Sequence, residues 1–527
     1  MAVYKKVDFM KLTIGITAVQ PKWTLLSGQI GFPFSPLSSI EDISHNHFVT
    51  IIVTAKGSDH LRENLLSFIH SGGSLLMEAS EAEWLFGIKS QRRYVDYIQP
   101  TTESIFSNVL PGFADASLTV PEEADELFAN DEMNLVQIVN EGKGTAVILP
   151  GGLTGLVLNS NILRRQFPST SRHLPTERVT RCSKHTIREI VQYSLEFLSR
   201  ARELPFVSLH PFPDGELSLF NLRIDTDFAD EKQIADLYDL CQKHTVAASW
   251  FVETGSAVER LSQFAKMKDQ EIGMHCYQHK VFKDFYESET DIKQGKSLLA
   301  GEKISPSGYA APFGEWNCSL AKAVESSGFK YASEFGLAYD DYPFYPWLGD
   351  RFSTVLQVPV HPISAGRLKN ARHDEEEMKN YFAAVMDTNL AHRLPIFIYD
   401  HPSSANLDVL NWFMKQIQEK EITNVTLSDY AEWWKIRNSI KWSADISSGK
   451  LIIKSSGIEN RSRLLVKNRD GSEAVTPMSD ETALDDLNWL KPISVPASTP
   501  MSIRNRINRK VVTNSIDHIR SKLNPWT

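Results

Sequence analysis

A chain of 527 residues, 42% hydrophobic and 23% charged, can bury a large core, and at about 100–200 residues per domain it has room for roughly three or four domains. The balance of 56 Lys and Arg against 65 Asp and Glu, net −9, argues against bulk affinity for nucleic acid. Cys182, Cys241, Cys276 and Cys318 are scattered without CxxC spacing, so neither a disulfide framework nor a thiolate zinc knuckle is implied.

The opening "MAVYKKVDFMKLTIGITAVQPKW" alternates into a strand and a proline, without the apolar core and cleavage site of a signal peptide. The longest apolar runs, such as "FVTIIVTA", fall short of the ~18 residues that a bilayer span needs. A cytoplasmic location is the expectation. Residues 1–200 then alternate strands and helices: "KLTIGITAV", "HFVTIIVTA", the helix "HLRENLLSFIHSGG", "SLLMEAS" and "LVQIVNEGKGTAVILPGG". The pattern predicts an α/β domain on a parallel sheet. The order of these segments loosely resembles the class I glutamine amidotransferase-like fold. Glutaminases of that fold need a cysteine nucleophile at a strand-to-helix turn, and residues 1–181 contain no cysteine. The resemblance therefore implies a scaffolding or ligand-sensing domain.

A strand-first pattern restarts after residue 200 with "LFNLRIDTD" and continues through "VAASWFVETG", "EIGMHCYQH", "SPSGYAAPFG", "YASEF", "TVLQVPVHP" and "LPIFIYDHP", with helical segments between. About seven βα units over 201–440 fit a distorted or incomplete (β/α) barrel better than a short open sheet. Residues 441–527 change character. "SADISSGKLIIKSSGIENRSRLLVKNRDGSEAVTPM" suggests a small antiparallel β unit. In the basic tail 501–527, Val512, Ile516, Ile519 and Leu523 form an imperfect amphipathic stripe. It is expected to pack on the protein, with peripheral contact to an anionic membrane as the second use.

In "QEIGMHCYQHKVF", His275 and His279 stand at i, i+4 after a short strand ending in Gly273. Two turns of a helix or a turn after a strand could bring both to one metal, at the mouth where α/β active sites are built. About 50 residues earlier, "NLRIDTDF" sets Arg223, Asp225 and Asp227 on one face of a strand. Burying two carboxylates is costly unless a metal or cationic partner offsets the charge. Two imidazoles and a carboxylate with open positions are a usual catalytic set for zinc, iron or manganese.

The order "RIDTD", "ASWFVETG", "QEIGMHCYQH", "YAAPFGEWN", "FKYASE", "IFIYDHP" resembles the polysaccharide deacetylase (NodB-homology) family, carbohydrate esterase family four, over about 215–440. That resemblance implies one divalent metal, zinc first and cobalt, manganese, nickel or iron as alternatives, held by Asp227, His275 and His279. It implies Asp225 as the base, although Thr226 separates the two aspartates and their roles could be exchanged. Where the family's third motif has an Arg that orients the base, this chain reads Ala310-Ala311-Pro312-Phe313-Gly314. Arg223 could replace it, an arrangement similar to the deformylase of the lipid A aminoarabinose pathway. His401 in "IYDHP", with Asp400 beside it, resembles the strand-end histidine that protonates the leaving amine, and Glu334 or Asp340 could be the fourth-motif acid.

The resemblance implies a metal-dependent amidohydrolase that removes an N-acetyl or N-formyl group from an amino sugar in surface-glycan biosynthesis, on a nucleotide- or lipid-linked precursor. A metal and a backbone N–H near Tyr309 would hold the oxyanion. Tyr309, Pro312, Phe313 and Trp316 are the candidate substrate-binding residues, although Phe313 and Trp316 could equally cap the core. Cys276 is expected to pack, and His361 to be a structural histidine. The alternatives are a catalytically inactive carbohydrate-binding or scaffold protein, and a ureide or cyclic-amide hydrolase of the same superfamily.

Overall fold

A computed structural model describes residues 9–491, apart from 38–42, 45–46, 102–103, 130–132, 172 and 458; the basic tail 501–527 lies outside the described residues. In the first region, Phe34–Pro36, Ile14–Ile16, Thr50–Val53, Ser74–Glu78 and Gly144–Leu149 lie side by side and parallel. Thr50–Val53 and Ser74–Glu78 are buried at every position, as strands covered on both faces must be. The predicted parallel sheet accounts for these five strands. Met133–Glu141, Glu126–Ala129, Ser90–Gln99 and Gly112–Pro121 extend it antiparallel. After Pro121 the connections are a few residues long, too short for a parallel crossover. The run "LVQIVNEGKGTAVIL" is accordingly a hairpin that turns at Gly142, whose φ of 62° is left-handed.

The long helix Lys184–Ala201 is buried over most of its length. One side packs on the sheet, where Ser74 Oγ donates to Leu198 O at 3.2 Å. The other reaches the second region, where Arg188 Nε donates to Asp341 Oδ1 at 2.7 Å.

Eight parallel strands build the barrel sheet: β1 (Leu219–Asp225), β2 (Ser249–Glu253), β3 (Glu271–Cys276), β4 (Gly308–Tyr309), β5 (Tyr331–Ala332), β6 (Leu356–Gln357), β7 (Ile396–Asp400) and a short eighth, Thr423–Asn424, that pairs with the start of β1. The spatial order of the others is β6-β5-β4-β3-β2-β1-β7. Among the described residues β6 and β7 do not pair; the chain beyond β6 donates His361 N–H to Phe397 O at 2.8 Å instead. The result is an incomplete, distorted barrel of the predicted class. Capping boxes at Asp230 and Asp374 start the helices Glu231–Lys243 and Glu375–Ala391, fixing where two of the connecting segments leave the strand ends. Because all of these strands run parallel, their C-terminal ends open on the same mouth.

The antiparallel β expected in 441–490 forms as two sheets, each completed by a strand from earlier in the chain. Lys441–Ser447 pairs with Lys450–Ser456 and with Met10–Lys11, whereas Arg463–Lys467 pairs with Glu473–Pro477 and with Phe206–Leu209. Ala444, Ile446, Leu464 and Val466 join the core of the first region. All four cysteines are free thiols. No helix of the described residues is long and apolar enough to cross a membrane.

Arg437, 1% exposed, locks this junction. Its guanidinium donates to the carbonyls of His210 (3.0 Å), Gly28 (2.7 Å), Leu209 (2.9 Å) and Gln29 (3.2 Å). A Cβ on Gly31, which sits at φ 80°, would lie 2.3 Å from Arg437 Nη2, so the close approach requires glycine there. Replacing Arg437 with Leu leaves four buried carbonyls without their donor, and a stability loss of about 3 kcal/mol is expected in urea denaturation. His210, 1% exposed, accepts Phe212 N–H on Nδ1 at 3.2 Å and is pushed down to about 3, chiefly by burial. The unfolded chain takes up this proton near pH 6.5 and the folded one only near 3, so stability is lost as pH falls through that window. One proton corresponds to about 1.4 kcal/mol per pH unit. Chemical denaturation between pH 7 and 5 should give a slope shallower by about that amount in His210→Gln than in wild type.

Candidate metal centre and active site

The site lies at the C-terminal ends of β1, β3 and β7. Arg223 and Asp225 project together from β1, with Arg223 Nε on Asp225 Oδ1 at 2.8 Å and Nη2 on Oδ2 at 2.7 Å. Both are buried, and the third nitrogen of the fork is bonded to Ser333 O. Burial alone would make this guanidinium easier to deprotonate, but Asp225 outweighs it and raises the Arg223 pKa. The Asp225 carboxylate is thus held by a bidentate guanidinium from its own strand.

Asp227 follows in the loop after β1. Its Oδ1 lies 3.1 Å from His275 Nε2, its Oδ2 3.1 Å from His279 Nε2, and Oδ2 is 3.4 Å from His401 Nε2. His275 is on β3 and His279 on the turn that follows, so the pair spans a strand end and not a helix. Asp227 Oδ1, both ring nitrogens of His275 and His279 Nε2 are buried without an aligned hydrogen-bond partner. Ligand atoms from Asp227, His275 and His279 all fall within 4.8 Å of one another. Polar atoms that converge without satisfying each other, from one carboxylate and two imidazoles, fit a divalent transition metal. Burial would raise the Asp227 pKa, yet the imidazoles, His275 first, hold it far below the usual carboxylate range.

A second group, His185, Glu189 and His392, is equally compact. There the guanidinium of Arg188 lies 2.6 Å from His185 Nδ1 and can only donate, which leaves the ring proton on Nε2, facing Glu189 at 3.1 Å. A protonated nitrogen beside a cation makes a poor metal ligand, and Glu189 also takes the N–H of Leu110 at 2.7 Å.

His401 follows β7 directly, and Asp400 accepts the backbone N–H groups of His401 (2.9 Å) and Ala365 (3.2 Å). Burial pushes Asp400 up to about 7. It also lowers His401, against the opposing pull of Asp225 and Asp227. Neither proposed fourth-motif acid bonds the His401 ring among the described residues. Glu334 is buried and pushed up to about 8 by burial, with Arg223 opposing, and Asp340 lies in a different cavity.

The candidate substrate residues divide. Phe313, 53% exposed with a left-handed φ of 60°, presents its ring to His279 with centroids 4.7 Å apart. Tyr309 is core, its ring 5.4 Å from Phe329, and its backbone is committed to pairing with Met274 and Ala332. Pro312 is buried in the turn that carries Phe313, and Trp316 packs on the core of the first region. Cys276 is buried and outside the ligand group. His361 is hydrogen-bonded to Tyr381 at 3.0 Å.

Two residues that the sequence pattern did not single out shape the site. Phe228, 64% exposed and also left-handed at φ 49°, flanks His279 with ring centroids 5.4 Å apart. Asp291, from the helix Phe285–Gly301, accepts the N–H groups of Tyr277 (3.0 Å) and Gln278 (2.9 Å), holding the turn between the two histidines. Thr254 N–H, donating to Cys276 O at 2.9 Å, braces the same turn from β2.

Residues 224–332, which include Asp225, Asp227, His275 and His279 and stop short of His401, match the polysaccharide deacetylase family model. No curated protein matches the chain. Among solved structures it is similar to a protein of Mycobacterium smegmatis described as a polysaccharide deacetylase, at 19% identity over 42% of this chain and 92% of that one, TM-score 0.35. It is also similar to a CE4 family pseudoenzyme from Bacillus anthracis (15% identity, 42% and 66% covered, TM-score 0.29) and to Puue allantoinase (14% identity, 43% and 93% covered, TM-score 0.37). Residues 224–332 of the barrel are thus similar to the polysaccharide deacetylase family, and the parallel, incomplete barrel is of the NodB-type fold.

Because Asp291 acts through the turn and not as a ligand, Asp291→Ala should weaken metal affinity by roughly ten- to a hundred-fold while the protein stays folded. Competition titration with a metal chelator, alongside circular dichroism, checks this; unchanged affinity would remove Asp291 from the site's support.

Proposed function

We propose that the protein is a metal-dependent amidohydrolase that removes an N-acetyl or N-formyl group from an amino sugar. The observation that carries the reading is the convergence of Asp227, His275 and His279 beside a second carboxylate, Asp225, whose both oxygens Arg223 holds. A divalent metal, zinc first, held by those three ligands would supply the positive charge that acidifies a water and polarises the amide carbonyl.

The remaining work falls to the chain itself. Each Asp225 oxygen keeps a lone pair beyond the one that Arg223 takes, so the carboxylate can accept a proton from the attacking water while its orientation stays fixed. Arg223 carries the positioning role that the "AAPFG" segment does not supply. His401, 3.4 Å from Asp227, stands where it can hand a proton to the departing nitrogen, which leaves as a neutral amine. The exposed rings of Phe228 and Phe313 offer apolar faces suited to the C–H face of a pyranose. The setting we favour is synthesis of a surface glycan in the cytoplasm, on a nucleotide- or lipid-linked precursor, with the first region as a scaffold or ligand-sensing domain.

Metal content by elemental mass spectrometry and acyl release from a panel of N-acetyl and N-formyl amino sugars test the reading together. About one transition metal per chain is expected, lost in His275→Ala/His279→Ala. Asp225→Asn should retain the metal and lose acyl release by about 10²–10⁴-fold. Wild type that binds no zinc, cobalt or manganese would sink the proposal, as would metal-loaded wild type releasing neither acetate nor formate.

A further inference from the structure

A cavity of about 770 Å³ lies where the first region meets the barrel. That is inside the roughly 300–1,000 Å³ range of small-molecule sites. Phe113, Arg165 and Phe167 come from one side, and Tyr339, Tyr381 and Phe397 from the other. No residue of the metal centre lines it. Phe397 and His401 stand four positions apart along β7 and its extension, about 13 Å of extended chain, so the cavity and the metal centre are separate places on one strand.

The charges around the cavity are unequal in their commitments. Arg165 is paired with Asp115 at 2.6 Å, and Arg188 with Asp341 at 2.7 Å. Lys184, behind the wall, gives its ammonium to the carbonyls of Val157 and Asn159, both at 2.6 Å. Asp340 lines the cavity and makes no ion pair among the described residues, its Oδ1 is buried without a hydrogen-bond partner, and burial pushes the group up to about 7. His392, likewise in the wall and nearly fully buried, faces Glu189 with Nδ1 at 2.8 Å and has no partner on Nε2. A carboxyl without a cationic partner at the wall of a ligand-sized cavity is held in its charged form by a ligand that brings cationic N–H donors.

We propose that this cavity is a second ligand site, for a sugar-sized molecule bearing a protonated amine. Asp340 receives the ammonium, and Phe167, Tyr339 and Tyr381 present aromatic surface to the apolar face of the ring. Thr388 and Asn389 are at hand for hydroxyl groups. A molecule seated there touches both the first region and the helix Glu375–Ala391, so its binding is felt across the domain boundary. The choice of an amino sugar rests on the deacylase reading, since the product of that reaction is such an amine; the site itself does not.

Calorimetry on the full, metal-loaded chain with glucosamine and its β-1,4-linked dimer tests the proposal, with the N-acetylated forms as controls. The free amines should bind at least about tenfold more tightly than the acetylated sugars, a difference of about 1.4 kcal/mol. Asp340→Asn should weaken them by about tenfold or more. Ala384→Trp, a change at an exposed lining position that fills the mouth without entering the core, should abolish binding. His275→Ala/His279→Ala should leave it intact. No binding at millimolar concentration overturns the proposal, as does equal binding of acetylated sugars or binding that survives both cavity variants. Binding lost in the metal-centre variant would assign the ligand to that centre. If acyl release fails while cavity binding persists, the deacylase reading falls and the second site stands.

Discussion

An unpaired carboxylate in the middle of a parallel sheet costs several kcal/mol, and Asp225, 3% exposed on a strand buried at every position, would bear that cost without Arg223. The guanidinium on both of its oxygens removes the penalty and fixes the carboxylate plane. The fork then reaches across to Ser333, beyond β5, so that one side chain ties β1 to the far side of the barrel. Asp227, His275 and His279 are arranged relative to this pair. Asp227 follows two residues on, where the strand has ended and the chain can turn toward β3.

The centre also depends on what braces its turns. His275 is set by a strand, but His279 is on a turn whose backbone would be loose if Asp291 and Thr254 did not take up its N–H and C=O groups. The same division holds at larger scale. The barrel strands supply position, and the first region docks on the segments between them, through Arg188 on Asp341 and Glu189 on His392. Arg437 and the strands 441–447 and 463–467 sew the β-rich region to the first region, so the two cannot separate without exposing paired backbone.

The readings that came directly from residue pattern were those in which few residues carry the information. Arg223 and Asp225 were legible because alternation on a strand puts i and i+2 on one face, whereas Asp227, expected on that same face, lies in the loop beyond the strand's end. His275 and His279 were legible because four residues span either a helical turn or a tight turn after a strand. Tyr309 was misplaced because a short strand's inward and outward faces cannot be told apart from two residues, and its ring belongs to the core beside Phe329. Asp340 looked like a partner for His401 on chain order alone, yet the loop after β5 carries it into the interface cavity.

By itself the sequence determined the alternation of strands and helices, the parallel barrel and the acid and imidazole groups gathered at its mouth, because spacing along one or two neighbouring elements decides these. Tertiary structure alone decided the antiparallel half of the first sheet and the pairing of the C-terminal strands with Met10–Lys11 and Phe206–Leu209. It also decided the bracing by Asp291, the flanking ring of Phe228 and the cavity at Asp340. Each of these joins residues distant in the chain, and strand pairing or a carboxylate capping a distant turn has no local periodicity to announce it; only the closed packing of all three regions brings those groups within bonding distance.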